Sequence, residues 1–326
     1  VKLHAPFIRL PLAFDATALE RDIRSIEESA WRPHPQGLPG NSMLPLVAVD
    51  GDPANEGFSG PMRPTPQLLA CPYLMQVMAS LGATIGRSRL MRLSGQAEVA
   101  LHIDQGYYWA ERVRVHVPIA TQPTVRFECG DAAVHMAAGE CWIFDTWRLH
   151  RVVNDASRAR IHLVVDTVGG DAFWDLVAAG RVHGRQAPRD WRPRHVPPQP
   201  GVQATFPLES VNVPVVMSPW EMSAHFGLLF ADAVPCAQLQ QLQPLAAQLV
   251  RGWRGLWAEY GGDESGKPHY RVLLDRFLAA AAPLADPMAL RNGGSFAASL
   301  SMLVQRSALR DEGAGGDGEH GPADRA

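Results

Sequence analysis

The chain has 326 residues, 46% apolar and 19% charged, an ordinary composition for a folded protein and enough length for one large or two modest domains. Thirty basic against thirty-three acidic side chains leave a net charge of -3, which excludes bulk attraction to nucleic acid or to an anionic membrane. The four cysteines (Cys71, Cys129, Cys141, Cys236) are widely spaced without a C-x-x-C, so neither a zinc site nor a disulfide framework is expected.

No apolar run approaches the ~18 residues of a membrane span. The start, Val1-Lys-Leu-His-Ala-Pro, has no basic segment followed by an apolar core, so the expectation is no signal peptide and a cytoplasmic location. After a short apolar run (Phe7 to Leu12), Asp15 precedes Leu19, Ile23 and Ile26 at helical spacing, which predicts a capped helix. Residues 31–66 hold eight prolines and read as a long loop, with Trp31, Arg32, His34, Asn41 and Ser42 as its chemically useful members. It is a surface strap or a substrate-contacting lid. Residues 67–82 read as an apolar helix.

From Ile85 the period becomes two. The segments 89–93, 97–103, 112–119, 124–128, 132–136, 140–145, 149–153 and 159–166 are short, rich in Val and Ile, and punctuated by Gly, Pro or Asp. Short strands at near-regular spacing predict a barrel or jelly roll, a mainly β fold. A helix is expected from Asp171, then a Pro-rich linker over 184–204, then a helical domain over 205–309. Its helices are predicted at 218–232, 236–260, 268–282 and 294–308, and the stripe Leu239, Leu242, Leu245 and Leu249 permits a homodimer through this domain. The tail 310–326 is too poor in apolar residues to fold.

One constellation carries chemistry. His102-Ile-Asp104 ends an alternating run, His150 follows Asp104 by forty-six positions, and Arg160 follows His150 by ten. A His-x-Asp pair with a distant His is the ligand set of a 2-His-1-carboxylate facial triad, which suits Fe(II) and leaves positions open for a co-substrate and O2. Residues two apart on a strand share a face, so both members of His-x-Asp can reach one ion. An Arg fork beyond the distal His suits the far carboxylate of a 2-oxo acid. Parity alone does not choose between Arg158 and Arg160. In Arg112-Val-Arg114-Val-His116-Val-Pro-Ile the apolar residues face one way and Arg112, Arg114 and His116 the other, toward solvent or toward a polar interior. Arg87, Arg89 and Arg92 lie just upstream and could read a substrate carboxylate, as could Asn41. Asn154 and Arg151 are candidates to orient the ligands.

Residues 89–166 resemble the aspartyl/asparaginyl β-hydroxylase family of Fe(II)/2-oxoglutarate oxygenases, which includes bacterial free-proline 3-hydroxylases. The matching elements are Arg112-Val-Arg114-Val-His116, Gly139-Glu-Cys-Trp-Ile-Phe-Asp145 and His150-Arg-Val-Val-Asn-Asp-Ala-Ser-Arg-Ala-Arg160. The resemblance implies a double-stranded β-helix (jelly roll, cupin-like) over 1–183. It further implies Fe(II) on His102, Asp104 and His150, 2-oxoglutarate on Arg160 rather than Arg158, and Arg114 and His116 lining the co-substrate site. Asp104 completes a triad that the family's animal branch lacks, so the bacterial branch is the nearer likeness. The substrate expected is an amino acid or an Asp/Asn residue of a peptide. A non-catalytic cupin-like metal sensor and a metal-dependent hydrolase are the readings from other classes.

Overall fold

The computed structural model describes residues 1–34, 37–186 and 188–310. The chain divides into two compact units. The first comprises Val1, Leu3–His102 and Glu111–Asn212; the second comprises Lys2, Ile103–Ala110 and the chain from Val213.

The first unit is built on strands. In chain order they are β1 (Phe7–Phe14), β2 (Arg32–Pro33), β3 (Asn41–Val49), β4 (Met62–Pro64), β5 (Thr84–Leu93), β6 (Ala97–His102), β7 (Val113–Ala120), β8 (Val125–Cys129), β9 (Ala132–Val134), β10 (Glu140–Phe144), β11 (His150–Asn154), β12 (Arg160–Gly169), β13 (Arg181–Val182) and β14 (Arg194–Val196). The large sheet runs β13-β1-β10-β7-β12-β5-β3-β2, with β14 on β1 and β4 on β3, and the small sheet runs β6-β11-β8-β9. Within these, β10-β7-β12-β5 and β6-β11-β8-β9 are two antiparallel four-stranded sheets; along the chain the strands alternate between sheets except at the β8–β9 hairpin, which stays in the small sheet. That wiring is a double-stranded β-helix, the jelly-roll fold expected from the strand spacing.

Strand alternation divides the apolar residues into two cores. Val113, Val115, Val117, Ile119, Cys141, Ile143, Leu163 and Val165 pack with Leu19, Leu74 and Val77 on the outside of the large sheet. Those three residues come from helices α1 (Ala16–Ile23) and α3 (Pro72–Ala79), the latter preceded by the short α2 (Pro66–Leu69). Asp15 caps α1 through Oδ1, accepting from the Ala18 amide at 3.0 Å. The second core, Phe7, Leu93, Phe127, Trp142, Phe144 and Val152 among others, fills the space between the two sheets. The helix expected over 67–82 is thus two pieces, because Cys71-Pro72 starts a new first turn.

Two stretches depart from expectation. Within 31–66, Asn41–Val49 is a nine-residue strand, paired with β5 from Asn41 to Val47 and with β4 from Val47 to Val49. Its Pro45 sits next to a register shift, between Pro45 and Val47, the kind of irregularity at which a strand carries proline. The Pro-rich stretch read as a linker instead folds with the jelly roll. β14 pairs parallel with β1, the Tyr73 hydroxyl donates to the Val196 carbonyl at 2.5 Å, and the Gln76 amide brackets Gln199. The Ile85 amide then donates to the Pro207 carbonyl at 2.9 Å, so the boundary lies at 212 rather than 204.

The second unit contains α4 (Tyr107–Glu111, whose last residue belongs to the first unit), α6 (Pro219–Asp232), α7 (Ala237–Tyr260), α8 (Lys267–Ala285) and α9 (Phe296–Leu300); α5 (Asp171–Ala178) belongs to the first unit. Ser218 and Glu221 close a capping box on α6 with Pro219 at its first position. Leu242 and Leu249 of the leucine stripe are buried, as are Trp253 of the same helix and Tyr270 and Phe277 of α8, which packs on it. The last predicted helix is shortened to Phe296–Leu300 and continues as a π turn over Ser301–Gln305. The prediction for the tail falls, from residue 311 on, outside the described residues. No helix among the described residues is long and apolar enough to cross a membrane.

Candidate active site

β6 ends at His102 and β11 begins at His150, and these two residues stand directly opposite in the antiparallel pair. Their rings lie 4.1 Å apart, centroid to centroid. Asp104 sits two residues past the end of β6, so it is the loop, not strand parity, that brings its carboxylate in. One potential ligand atom each of His102, Asp104 and His150 lies within 4.8 Å of the others. Asp104 and His150 are 1% and 2% exposed.

The two imidazoles are held in one tautomer by backbone. Nδ1 of His102 lies 2.8 Å from the Ala100 carbonyl, and Nδ1 of His150 lies 2.8 Å from the Arg148 carbonyl. A carbonyl only accepts, so each Nδ1 donates and each Nε2 is the ring nitrogen left to face a metal. The donor set, two imidazoles and one carboxylate, fits Fe(II) and similar ions. Orientation therefore comes from backbone carbonyls rather than from Asn154 or Arg151. Arg151 pairs with Glu128 at 2.7 Å. Asn154 donates from Nδ2 to the Leu93, Ser94 and Arg158 carbonyls at 3.1, 2.9 and 2.9 Å, tying the β11–β12 turn to the end of β5.

The polar residues of β7 and β12 face the space between the sheets, because their apolar neighbours face α1 and α3. A chain of ring contacts connects the interior: His150 to Phe144 (4.9 Å), Phe144 to His116 (5.3 Å) and His116 to His162 (5.7 Å). Arg160 closes it, with Nη2 at 2.9 Å from Nδ1 of His162. Burial and the Arg160 charge hold His116 and His162 well below the usual imidazole range, so both are neutral. Burial pushes the Arg160 guanidinium down to about 9, which leaves it cationic at neutral pH. Among the described residues no carboxylate pairs with it.

The remaining arginines separate by environment. Arg114 donates from Nε to Asp166 Oδ1 at 3.2 Å, directly across the β7–β12 pair, and Arg89 Nη2 lies 3.7 Å from Asp166 Oδ2. Arg112 is engaged by Glu209 through two bonds of 2.9 and 2.8 Å and is thereby structural. Arg87 lies 3.6 Å over the Phe58 ring. Arg92, proposed from sequence as a substrate residue, is on the opposite face of β5 from Arg89: it pairs with Glu28 and lies 4.3 Å over Trp31. Its parity places it away from the interior. Asn41 is buried at the start of β3 opposite Leu93.

Sequence reasoning missed His162 and the partner role of Asp166, although both share Arg160's parity on β12. Glu209 gave no signal, being ninety-seven positions from Arg112.

Residues 58–169 match the model of the family described as aspartyl/asparaginyl beta-hydroxylase. Over that stretch the chain is similar to that family. Among characterised relatives, L-proline cis-3-hydroxylase 1 of a Streptomyces species is 27% identical over 144 residues, covering 40% of this chain and 48% of that protein. The chain thus matches about half the length of that relative. Among solved structures, a Pseudomonas putida prolyl-4-hydroxylase is similar at a TM-score of 0.35 and 14% identity, over 50% of this chain and 92% of that one. A 2OG-Fe(II) oxygenase family oxidoreductase of Burkholderia pseudomallei gives a TM-score of 0.34 and 11% identity, over 48% and 80%. The matched family region contains all three candidate ligands and Arg160.

Proposed function

We propose that the chain is an Fe(II)- and 2-oxoglutarate-dependent hydroxylase acting on an unactivated C–H of an amino acid, free or within a peptide. The observation that carries this reading is a buried arginine cation, Arg160, without a counter-anion among the described residues, in an interior connected by ring contacts to the His102–Asp104–His150 set. A structural metal site needs the ligands but has no use for such a cation; a chelating 2-oxo dicarboxylate needs both. The family match supports the same reading, as does a relative named for hydroxylating L-proline. Four free thiols, three of them buried, fit the reducing cytoplasm we assign to it.

In this reading His102, Asp104 and His150 hold the iron, which with 2-oxoglutarate and O2 supplies the oxidising chemistry, releasing succinate and CO2. Arg160 binds the distal carboxylate of the co-substrate and so fixes its orientation. Phe127, Phe144 and Trp142 wall the interior and keep water from the reacting groups. Arg89 and Arg114, arrayed on Asp166, form a polar patch of the same interior suited to a substrate's carboxylate and amine.

The test is succinate formation from 2-oxoglutarate with Fe(II), ascorbate and air, for wild type, His150→Ala and Arg160→Ala. It runs against free amino acids and Asp- or Asn-containing peptides. Turnover that requires His150 and falls steeply without Arg160 is expected, and the stimulating compound names the substrate. Iron binding with no succinate under any condition, and no visible chelate band under argon, would refute the enzyme reading in favour of a metal sensor.

A further inference from the structure

His162 lies two positions beyond Arg160 on β12, on the same inward face, and nothing in the facial-triad logic requires a histidine there. Its surroundings fix its protons. Arg160 Nη2 is 2.9 Å from His162 Nδ1, and a guanidinium donates only, so Nδ1 of His162 carries the lone pair. The proton of this neutral ring is therefore on Nε2. Nδ1 of His116 lies 3.4 Å from the same atom, so His116 donates toward it and reinforces that tautomer.

The result is a donor with nothing to donate to. His162 Nε2 is buried and has no hydrogen-bond partner among the described residues, and the same holds for Nε of Arg160 beside it. His162 is 2% exposed and Arg160 4%, so bulk water does not compensate either. A buried, unsatisfied donor is costly and marks a place where an acceptor belongs. Two such donors on neighbouring same-face positions, one on a cation without a counter-anion, ask for an anionic acceptor with two oxygens.

We propose that Nε2–H of His162 is a second donor to the distal carboxylate of the co-substrate, so that the Arg160–His162 pair selects a 2-oxo dicarboxylate over a 2-oxo monocarboxylate. His116 acts one step back, as the positioning residue that keeps the Nε2 proton in place. The proposal rests on the oxygenase reading and adds to it the residue that sets co-substrate selectivity.

The experiment measures binding, not turnover. Fe(II)-loaded protein is titrated anaerobically with 2-oxoglutarate and with 2-oxopentanoate, which has a methyl group where 2-oxoglutarate has its distal carboxylate. The variants are His162→Phe, His162→Met and His162→Gln. Losing a hydrogen bond to a charged group is expected to weaken 2-oxoglutarate about 10- to 100-fold in the Phe and Met variants. Binding of 2-oxopentanoate should change less than about threefold, and Gln, which keeps a donor, should recover most of the loss. A change that is equal for both ligands, or absent for both, would overturn the role of His162. Should either apolar variant fail to fold, the other decides. Failure of the wild type to distinguish the two ligands, or to bind either, would instead count against the oxygenase reading itself.

Discussion

The buried pair Arg112–Glu209 offers a sharp test of which arginines serve the site and which serve the fold. Both side chains are 2% exposed. Glu209 Oε1 and Oε2 accept from Nε and Nη2 at 2.9 and 2.8 Å, and Nη2 also donates to the Asn212 carbonyl at 3.2 Å. Removing one partner of such a pair strands a charge, which costs roughly 3–5 kcal/mol, whereas replacing both with apolar residues of similar volume is often neutral. Glu209→Ala should therefore lower unfolding free energy by about that amount in a urea titration. The double variant Arg112→Met/Glu209→Leu should restore most of it. The same double variant should bind 2-oxoglutarate as the wild type does, because Arg112 is occupied by Glu209 and not by the co-substrate. A Glu209→Ala cost below about 1 kcal/mol would refute the burial argument, since exposed pairs contribute that little. Full stability in the double variant together with lost 2-oxoglutarate binding would refute the assignment of Arg112 to the fold.

Asn154→Ala removes three donated bonds at the β11–β12 turn and should destabilise by about 1–3 kcal/mol, read as a lowered melting midpoint; because the turn precedes Arg160, the KM for 2-oxoglutarate should rise more than kcat falls. Gly139 has φ +80°, and a Cβ there would stand 2.2 Å from the Phe14 carbonyl oxygen, so Gly139→Ala should cost more than the roughly 1–2 kcal/mol of left-handed strain alone; equal stability to wild type would contradict the turn geometry. His162, held neutral in the fold but free to protonate when unfolded, makes the unfolded state bind more protons below about pH 6.5. Its contribution is full above that pH and is lost on acidification, up to about tenfold in the folding constant per pH unit, and this slope should shrink in His162→Phe when metal-free proteins are compared by denaturant titration.

The eight jelly-roll strands were legible because Gly, Pro and Asp punctuate short alternating runs, and periodicity two is what a half-buried strand requires. The strand Asn41–Val49 was not, because a proline count treats Pro45 as a breaker while the strand carries it beside a register shift. The stretch 184–204 misled for the related reason that composition reports what a segment lacks and not what it pairs with: Arg194–Val196 adds to the sheet through its backbone, whatever its side chains. The ligand set was legible from spacing, yet the reason given for Asp104 was incomplete, since β6 stops at His102 and the loop supplies the approach.

The deeper lesson lies in which face of β7 and β12 is apolar. In a sheet covered by helices on one side, the apolar residues face the helices, and the arginines and histidines are left to the interior between the sheets. An interior of that kind must neutralise its charges or hold them for a ligand. Glu209 neutralises Arg112, and Asp166 serves Arg114 and Arg89. Arg160, with the His162 proton beside it, has no carboxylate partner among the described residues and is thereby the inward arginine placed for a ligand's charge.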